Sequence, residues 1–482
     1  MNQNKAPLYE AILRYVEKDM ISFHMPGHSS GRGVPRYLKK LFGNDLFKFD
    51  LTEVSGLDYL HYAKGVIKQA EELAADLYGV KNTFFLINGT TAGVHAMILA
   101  TCKEGDKIIV GRNSHRSVIG GIIESGANPV FVHPEFNNDF GIITNLTATE
   151  LEKAIQGNLD AKAVLITTPN YYGIQGDLKK MIDIVHKYNM YALVDEAHGA
   201  HFPFHPSFPS SAIEYGADIV VQSAHKTLPT FTQTSLLHIV SDKVNTDIVE
   251  QVLATIESSS PSYIFMASLD VVRREMAING RKLWEKAIEV ADYAREEIKK
   301  IDGFRIIDSS IINGKDIYAI DPIKLAINVE EMGFSGFEFE LFLNKHNIEI
   351  ELSDLQNVLL FVTIGTEKQD VKSLLKVLRS VKKKSGGVAK MIPFPVAGKQ
   401  VYSPNDAFNL NYKIKLLDKT VNKVSWGVVA PYPPGISVLA PGMEISQEAI
   451  NFIHIMENKG GMIQGAIMRG NKVYVRVVDD LQ

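Results

Sequence analysis

The chain has a single cysteine, Cys102, among 482 residues, so no disulfide can form within it. A reducing compartment, the cytoplasm, is the expected location. Long apolar runs are missing too: stretches such as Val358-Leu359-Leu360-Phe361-Val362 fall far short of the roughly 20 residues that span a bilayer, so no membrane association is expected. Excess charge is small, with 51 basic and 55 acidic residues giving a formal net charge of -4. Such a balance provides no long-range field to gather nucleic acid. Residues 1–15 are amphipathic where an export signal would be continuously apolar, so none is expected. Internal repeats and low-complexity tracts are absent. What remains is a composition 45% hydrophobic and 22% charged, able to bury sizeable cores in two or three domains.

Between residues 66 and 240, short apolar runs at 84–87, 107–110, 129–132, 163–166, 191–194 and 218–221 alternate with helix-spaced patterns at 91–101, 117–125 and 178–188. This rhythm predicts an α/β domain whose mostly parallel sheet is covered by helices on both faces. Ligands of such sheets lie beyond the carboxyl ends of the strands. Asn88-Gly89-Thr90-Thr91, residues 113–115, residues 168–172 and Asp195 all fall there. After Tyr263, helical patterns at 265–278 and 282–301 and strands near 324–329 and 348–352 predict a smaller α+β domain. The charged, flexible run Lys382-Lys383-Lys384-Ser385-Gly386-Gly387 marks a joint. A C-terminal module follows, with Pro433-Pro434-Gly435 and Pro441-Gly442 in its middle. The expected divisions are an N-terminal segment 1–44, a large domain 45–264, a small domain 265–384 and the module 385–482.

Two short stretches combine a lysine amine with a carboxylate: Gln222-Ser223-Ala224-His225-Lys226-Thr227 and Asp195-Glu196-Ala197-His198. A lysine amine condenses with the aldehyde of pyridoxal phosphate, and the resulting imine exchanges with an amino substrate. Lys226 is the candidate. Ser223 and His225 beside it can donate to a phosphate dianion. Asp195 ends the strand at 191–194, where its carboxylate can keep a pyridine nitrogen protonated and so make the ring an electron sink; capping the next helix is the competing role. Asn88-Gly89-Thr90-Thr91 joins a strand to a helix, directing free amides and a positive dipole at a phosphate, although Thr after Gly is also an ordinary cap. His115 can stack on a ring or simply hydrogen-bond at the surface.

Two other patterns are set aside. Asp195-Glu196-Ala197-His198 spells a helicase box, but Gly398-Lys399 and Gly314-Lys315 have Pro393 and Ser309 where a phosphate loop needs glycine. His198, His201 and His205, and His24 with His28, are interrupted by Pro203, Pro206 and Pro26-Gly27, so no metal site is expected.

Taken together, Phe23-His24-Met25-Pro26-Gly27-His28, residues 88–91, Asn113-Ser114-His115-Arg116-Ser117, residues 195–199 and Ser223-Ala224-His225-Lys226-Thr227 resemble the bacterial Orn/Lys/Arg decarboxylase family. The likeness continues through Ser260-Pro261-Ser262-Tyr263, Asp321-Pro322-Ile323-Lys324-Leu325, Tyr432 to Ile436 and Pro441-Gly442. It implies an aspartate-aminotransferase-like fold and pyridoxal 5'-phosphate as cofactor. By this resemblance Lys226 forms the imine, Asp195 holds the pyridine nitrogen, His115 stacks on the ring, and Thr90, Thr91, Ser223 and His225 hold the phosphate, with Ala197 completing the set. The resemblance also implies at least a homodimer, Ser258 or Ser259 lending a hydroxyl to the partner's phosphate. The family's first motif begins by Phe23, without the wing domain of its large inducible members, so their ring-shaped decamer is not expected. Residues 421–426 and Pro441-Gly442-Met443-Glu444 depart from the family's late motifs, where the substrate entrance would be affected.

The implied reaction is decarboxylation of a basic amino acid to agmatine or a diamine, arginine being favoured over lysine and ornithine by the short, polyamine-synthesis type of chain. Lys226 or His198 would reprotonate the alpha carbon. A cationic substrate tail calls for acids: Glu351 and Asp354 near a predicted strand at 348–352, where alternation puts Glu349 and Glu351 on one face, and Asp58 near the entrance. Another pyridoxal enzyme, such as an aminotransferase or carbon-carbon lyase, and a non-catalytic cofactor-binding regulator are the alternatives.

Overall fold

Proline and glycine punctuation, helix caps and two hydrophobic periods give the chain twenty short strands separated by helices among its described residues. The computed structural model describes residues 1–385, 390–432 and 435–479. Gly386-Gly387 of the expected joint and Pro433-Pro434 lie outside them. Two compact units emerge. The first comprises residues 1–100, 195–205 and 211–282, the second 101–194, 206–210 and 283–482.

In the first unit the strands lie in the order Asn82–Leu86, Ser235–Ile239, Ile219–Gln222, each antiparallel to its neighbour. The sequence reading missed Ser235–Ile239. The link from Ser223 to Thr234 contains only a short helix, Ala224–Thr227, so the chain returns directly and antiparallel; a parallel return needs a longer crossover. The helix Gly89–Thr101 packs tightly on this layer. A Cβ on Gly93 would sit 2.4 Å from Val221 Cγ2 and 2.7 Å from Leu86 Cδ1, so only glycine allows the approach. The N-terminal helix Pro7–Glu17 is fixed by Asp270, which accepts the Leu8 and Tyr9 amides at 3.0 and 3.3 Å and pairs with Arg273 at 2.8 Å.

In the second unit Tyr191–Asp195, Ala163–Thr167, Lys107–Gly111 and Asn128–Val132 lie side by side in that order. Lys107–Gly111 is parallel to both its neighbours. This is the parallel part of the expected sheet, and the predicted helices appear as Arg116–Ser125 and Leu178–Lys187. The strand Tyr191–Asp195 ends on Asp195, whose chain then runs on as residues 195–205 of the first unit. A separate antiparallel sheet has the order Arg305–Ile306, Lys324–Asn328, Asn357–Phe361, Leu352–Ser353. Toward the C-terminus, Tyr412–Leu416, Lys472–Val478 and Ile467–Arg469 form a third sheet. Val473, Val475 and Val477 share a core with Ile450 and Ile453 of the helix Gln447–Asn458.

Two expectations change. The helical patterns at 265–278 and 282–301 belong to one 36-residue helix, Tyr263–Ile298. Asn279-Gly280 reads as a break, but Gly280 stays helical and admits Phe204, whose Cβ lies 3.4 Å from where a glycine Cβ would be. The predicted strand at 348–352 is reduced to Leu352–Ser353.

Glu71 on the helix Val66–Tyr78 is buried, and its Oε1 accepts the Phe85 amide at 3.1 Å. Burial pushes its carboxyl up from 4.5 to about 8 against the pull of that amide and Lys68, with Glu250 and Asp58 adding to the rise. The unfolded chain therefore releases this proton near 4.5 and the folded chain near 8, so stability falls as pH rises across that window. Glu71→Gln keeps an acceptor for Phe85 and removes the titration. Its unfolding free energy in urea should lose part of the decline between pH 5 and 8, on the order of a few kcal/mol; an unchanged slope would refute the assignment.

Candidate active site

Where the strand Ile219–Gln222 ends, Ser223 leads into the turn Ala224–Thr227, which carries Lys226. The His225 backbone amide donates to Thr234 O at 3.3 Å. The His225 Nδ1–H donates to the same carbonyl at 2.7 Å, and that tautomer leaves Nε2 as an acceptor when the ring is neutral. Lys226 Nζ lies 3.1 Å from His198 Nε2. Asp195 and His198 are buried. Burial raises the Asp195 carboxyl above its usual range, while the Lys226 charge and the Ala197 amide pull it back. That amide donates to Oδ1 at 3.2 Å. Asp195, Ala197, His198 and Lys226 thus form one cluster in the first unit.

Hydroxyls gather at the N-terminus of the helix Gly89–Thr101. Thr90 Oγ1 hydrogen-bonds Ser223 Oγ and, at 2.6 Å, Ser235 Oγ. Gly89 has φ +76, a left-handed turn that L side chains rarely adopt and that lets the strand pass directly into the helix. Glu257 holds this loop from behind, accepting the Ile87 and Asn88 amides at 3.0 Å each, and burial pushes its carboxyl up to about 7. Ser235 and Glu257 escaped the sequence reading. Ser235 opens the missed strand, and nothing local marks Glu257 apart from its place just before Ser258. Thr91 is exposed in the first turn of the helix. Ser258 and Ser259 are exposed; Ser258 Oγ accepts the Ser260 amide at 3.1 Å, and the two carbonyls accept His61 Nε2 and the Tyr59 hydroxyl at 2.8 and 3.4 Å.

In the second unit His115 caps the helix Arg116–Ser125: its Nδ1 accepts the Ser117 amide at 3.2 Å. Its backbone bridges Ile436 of the C-terminal module. Three residues earlier, the buried Arg112 donates from Nη2 to Val438 O at 2.8 Å. Its guanidinium lies 5.0 Å from the ring centres of both Phe131 and Phe394.

The expected acids for a cationic tail separate. Glu351 is exposed. Asp354 is buried, its oxygens taken up by the Tyr172 hydroxyl, the Gln356 and Asn357 amides at 2.7 Å and the Asn357 side chain. It secures a turn. Asp58 is engaged likewise. With φ +72, it aims its carboxylate at the Gly65 and Ile67 amides at 2.7 and 3.1 Å, capping the helix Val66–Tyr78. Among the described residues no three histidine, cysteine or acidic side chains gather as a metal site, and no helix is long and apolar enough to cross a membrane.

A half-buried lysine amine beside an imidazole and near a buried carboxyl, with hydroxyls gathered at a helix N-terminus, is chemistry suited to an anionic carbonyl compound. The family model described as Orn/Lys/Arg decarboxylase, major domain, matches residues 6–370, and the chain belongs to that family. It is a decarboxylase of basic amino acids. An arginine decarboxylase of Bacillus subtilis (strain 168) is 36% identical over 471 residues, 96% of each chain. The lysine decarboxylase of Francisella novicida superposes with TM-score 0.84 at 23% identity, covering 98% of this chain and 81% of that one. Serine palmitoyltransferase of S. paucimobilis, solved with a bound PLP-myriocin aldimine, superposes with TM-score 0.54 at 17% identity over 72% of this chain and 81% of that one. These two likenesses show the fold.

Asp58→Ala should lose about 1–2 kcal/mol of stability through the lost cap, whereas Asp58→Asn should retain most of it and leave KM near the wild-type value. A large rise in KM for Asp58→Asn at unchanged stability would assign it the counter-charge role instead.

Proposed function

We propose that the chain decarboxylates L-arginine to agmatine using pyridoxal phosphate bound to Lys226. The 3.1 Å approach of Lys226 Nζ to His198 Nε2, beside the buried Asp195, is the observation that carries this reading. The residues fit the cofactor. Asp195 gives one hydrogen-bond acceptor to Ala197 and has lone pairs remaining for a ring N–H. Thr227 Oγ1, next to the lysine, is buried without a hydrogen-bond partner. Thr90, Thr91 and Ser223 are the phosphate ligands in this reading, with Ser235 added from the geometry and His225 donating through Nε2–H of its protonated ring. For the stacking of His115 and the loan of Ser258 or Ser259 to a partner subunit, the family resemblance is the support. A homodimer in the cytoplasm, and a layout of large domain, small domain and C-terminal module, belong to the same reading.

When bound, pyridoxal phosphate supplies an electron-accepting ring for the pair of electrons that the departing carboxylate leaves behind. Asp195 would hold a proton on the ring nitrogen, and its burial would strengthen that contact. Lys226 would be the amine that holds the cofactor, with its Nζ in reach of His198 Nε2 for proton transfer. His198 Nε2 receives a proton from the lysine amine and returns it, and either group then supplies the proton that the alpha carbon needs. Glu351 is the acid left exposed to meet a cationic tail. Arginine is preferred because the nearly full-length likeness at 36% identity is to an arginine decarboxylase.

The purified protein, given pyridoxal phosphate and arginine, lysine or ornithine in parallel, should release carbon dioxide and one equivalent of agmatine fastest from arginine. A keto-acid product would indicate transamination, and bound cofactor without turnover a regulator. Lys226→Ala should lose the visible cofactor absorption and turnover while its far-UV circular dichroism stays that of the parent; full turnover in this variant would overturn the site.

A further inference from the structure

Glu196 is fully buried, directly follows Asp195, and has no part in the chemistry above. Its backbone amide donates to Val221 O at 2.9 Å. Its side chain accepts three donors: the Ser211 hydroxyl at 2.6 Å and the Gln222 amide at 2.7 Å on Oε2, and the Ala212 backbone amide at 2.7 Å on Oε1. Gln222 in turn directly precedes Ser223. The hydrogen bonds run on in one direction. With its amide nitrogen donating to Glu196, Gln222 has Oε1 free to accept His238 Nε2–H at 3.2 Å, which leaves His238 Nδ1 to accept the Thr83 hydroxyl at 2.9 Å. Burial keeps that imidazole neutral, pushing it down from 6.5 to about 3. Tyr78 lies across the same ring with centroids 4.5 Å apart. Gly199 closes the arrangement from the other side, where a Cβ would come within 2.6 Å of Glu196 Cγ.

A buried carboxylate is costly to desolvate and is tolerated only when donors saturate it. Here saturation joins two separate chain segments at the residues adjoining their functional ends. One end is Asp195, the other the Ser223–Lys226 segment. A cofactor gripped at its ring nitrogen by one segment and at its phosphate and aldehyde by the other tolerates only about half an ångström of slip between them. We propose that Glu196 and Gln222 form a buried clamp that sets the separation of Asp195 from Ser223 and Lys226, and that Glu196 is therefore a positioning residue of the cofactor site. This rests on the reading of Asp195 and Lys226 as cofactor anchors.

Exchanging the two side chains tests the clamp. Glu196→Gln points an amide at the donors it should accept, and Gln222→Glu sets two carboxylates against each other. In the double variant Glu196→Gln/Gln222→Glu the pair is restored with reversed polarity, and the new carboxylate still accepts His238 Nε2–H. The readout is the dissociation constant of pyridoxal phosphate for the apoprotein, titrated by absorbance, with the apoprotein's melting temperature measured alongside. Each single variant should bind the cofactor about tenfold or more weakly, as the loss of a charged hydrogen bond implies, and the double variant should return to within about threefold of the parent. Single variants with parental affinity, or a double variant no better than the weaker single one, would overturn the clamp. Should the single variants fail to fold, the double variant decides alone: soluble with near-parental affinity supports the clamp, and insoluble or weakly binding overturns it. Borohydride reduction of the parent holoprotein separates the two readings. A label on Lys226 together with unmoved affinities removes only the clamp, whereas a label on another lysine removes both.

Discussion

Placing ionisable groups out of water at the ends of strands is the constraint around which the first unit is organised. Asp195, Glu196, Glu71 and Glu257 are all buried, and burial raises each above the ordinary carboxyl range. None can be kept there without donors. Glu71 takes the Phe85 amide, Glu257 takes two amides of the loop before Gly89, and Glu196 takes three donors. Asp195, like Glu71, accepts a single hydrogen bond, here from Ala197, and it also feels the nearby charge of Lys226. What sets Asp195 apart is the lysine charge beside it, and a buried carboxyl next to an amine is where chemistry is possible.

Much of this was legible in the residues. The six runs from 84–87 to 218–221 became strands because β-branched and aromatic residues between turn signals leave little choice, and Lys226, Asp195 and Thr90 stand at the strand ends where the periodicity put them. Ser235–Ile239 was not legible, because its Ser-Leu-Leu-His-Ile pattern has neither β-branched enrichment nor clean alternation, and its identity as a strand comes from pairing on both sides. Gly280 misled for the opposite reason: a glycine that reads as a stop stays inside one continuous helix, in ordinary contact with Phe204.

The acids proposed for the substrate tail show where residue type stops being informative. Asp58, Asp354 and Glu351 look alike in the sequence. Asp58 sits at positive φ and caps a helix from seven residues before Gly65, Asp354 fastens a turn through Asn357, and only Glu351 faces solvent. Which of these applies depends on the path of the backbone, and no local spacing encodes it. Ser235 joins Thr90 through the same kind of tertiary placement.

The attachment of residues 112–116 to residues 436–438 in the second unit has a bearing on how this family can diversify. Arg112 holds a carbonyl of the late module and lies against Phe131 and Phe394, while the His115 backbone bridges Ile436. The segment bearing the motif histidine and the one bearing the late glycine and proline motifs are thereby joined through main-chain atoms and a guanidinium that pairs with no carboxylate among the described residues. A chimera that imports the C-terminal module of a relative must therefore import a compatible neighbourhood for Arg112 with it, so these two stretches are expected to be inherited as one block even though more than three hundred positions separate them in the chain.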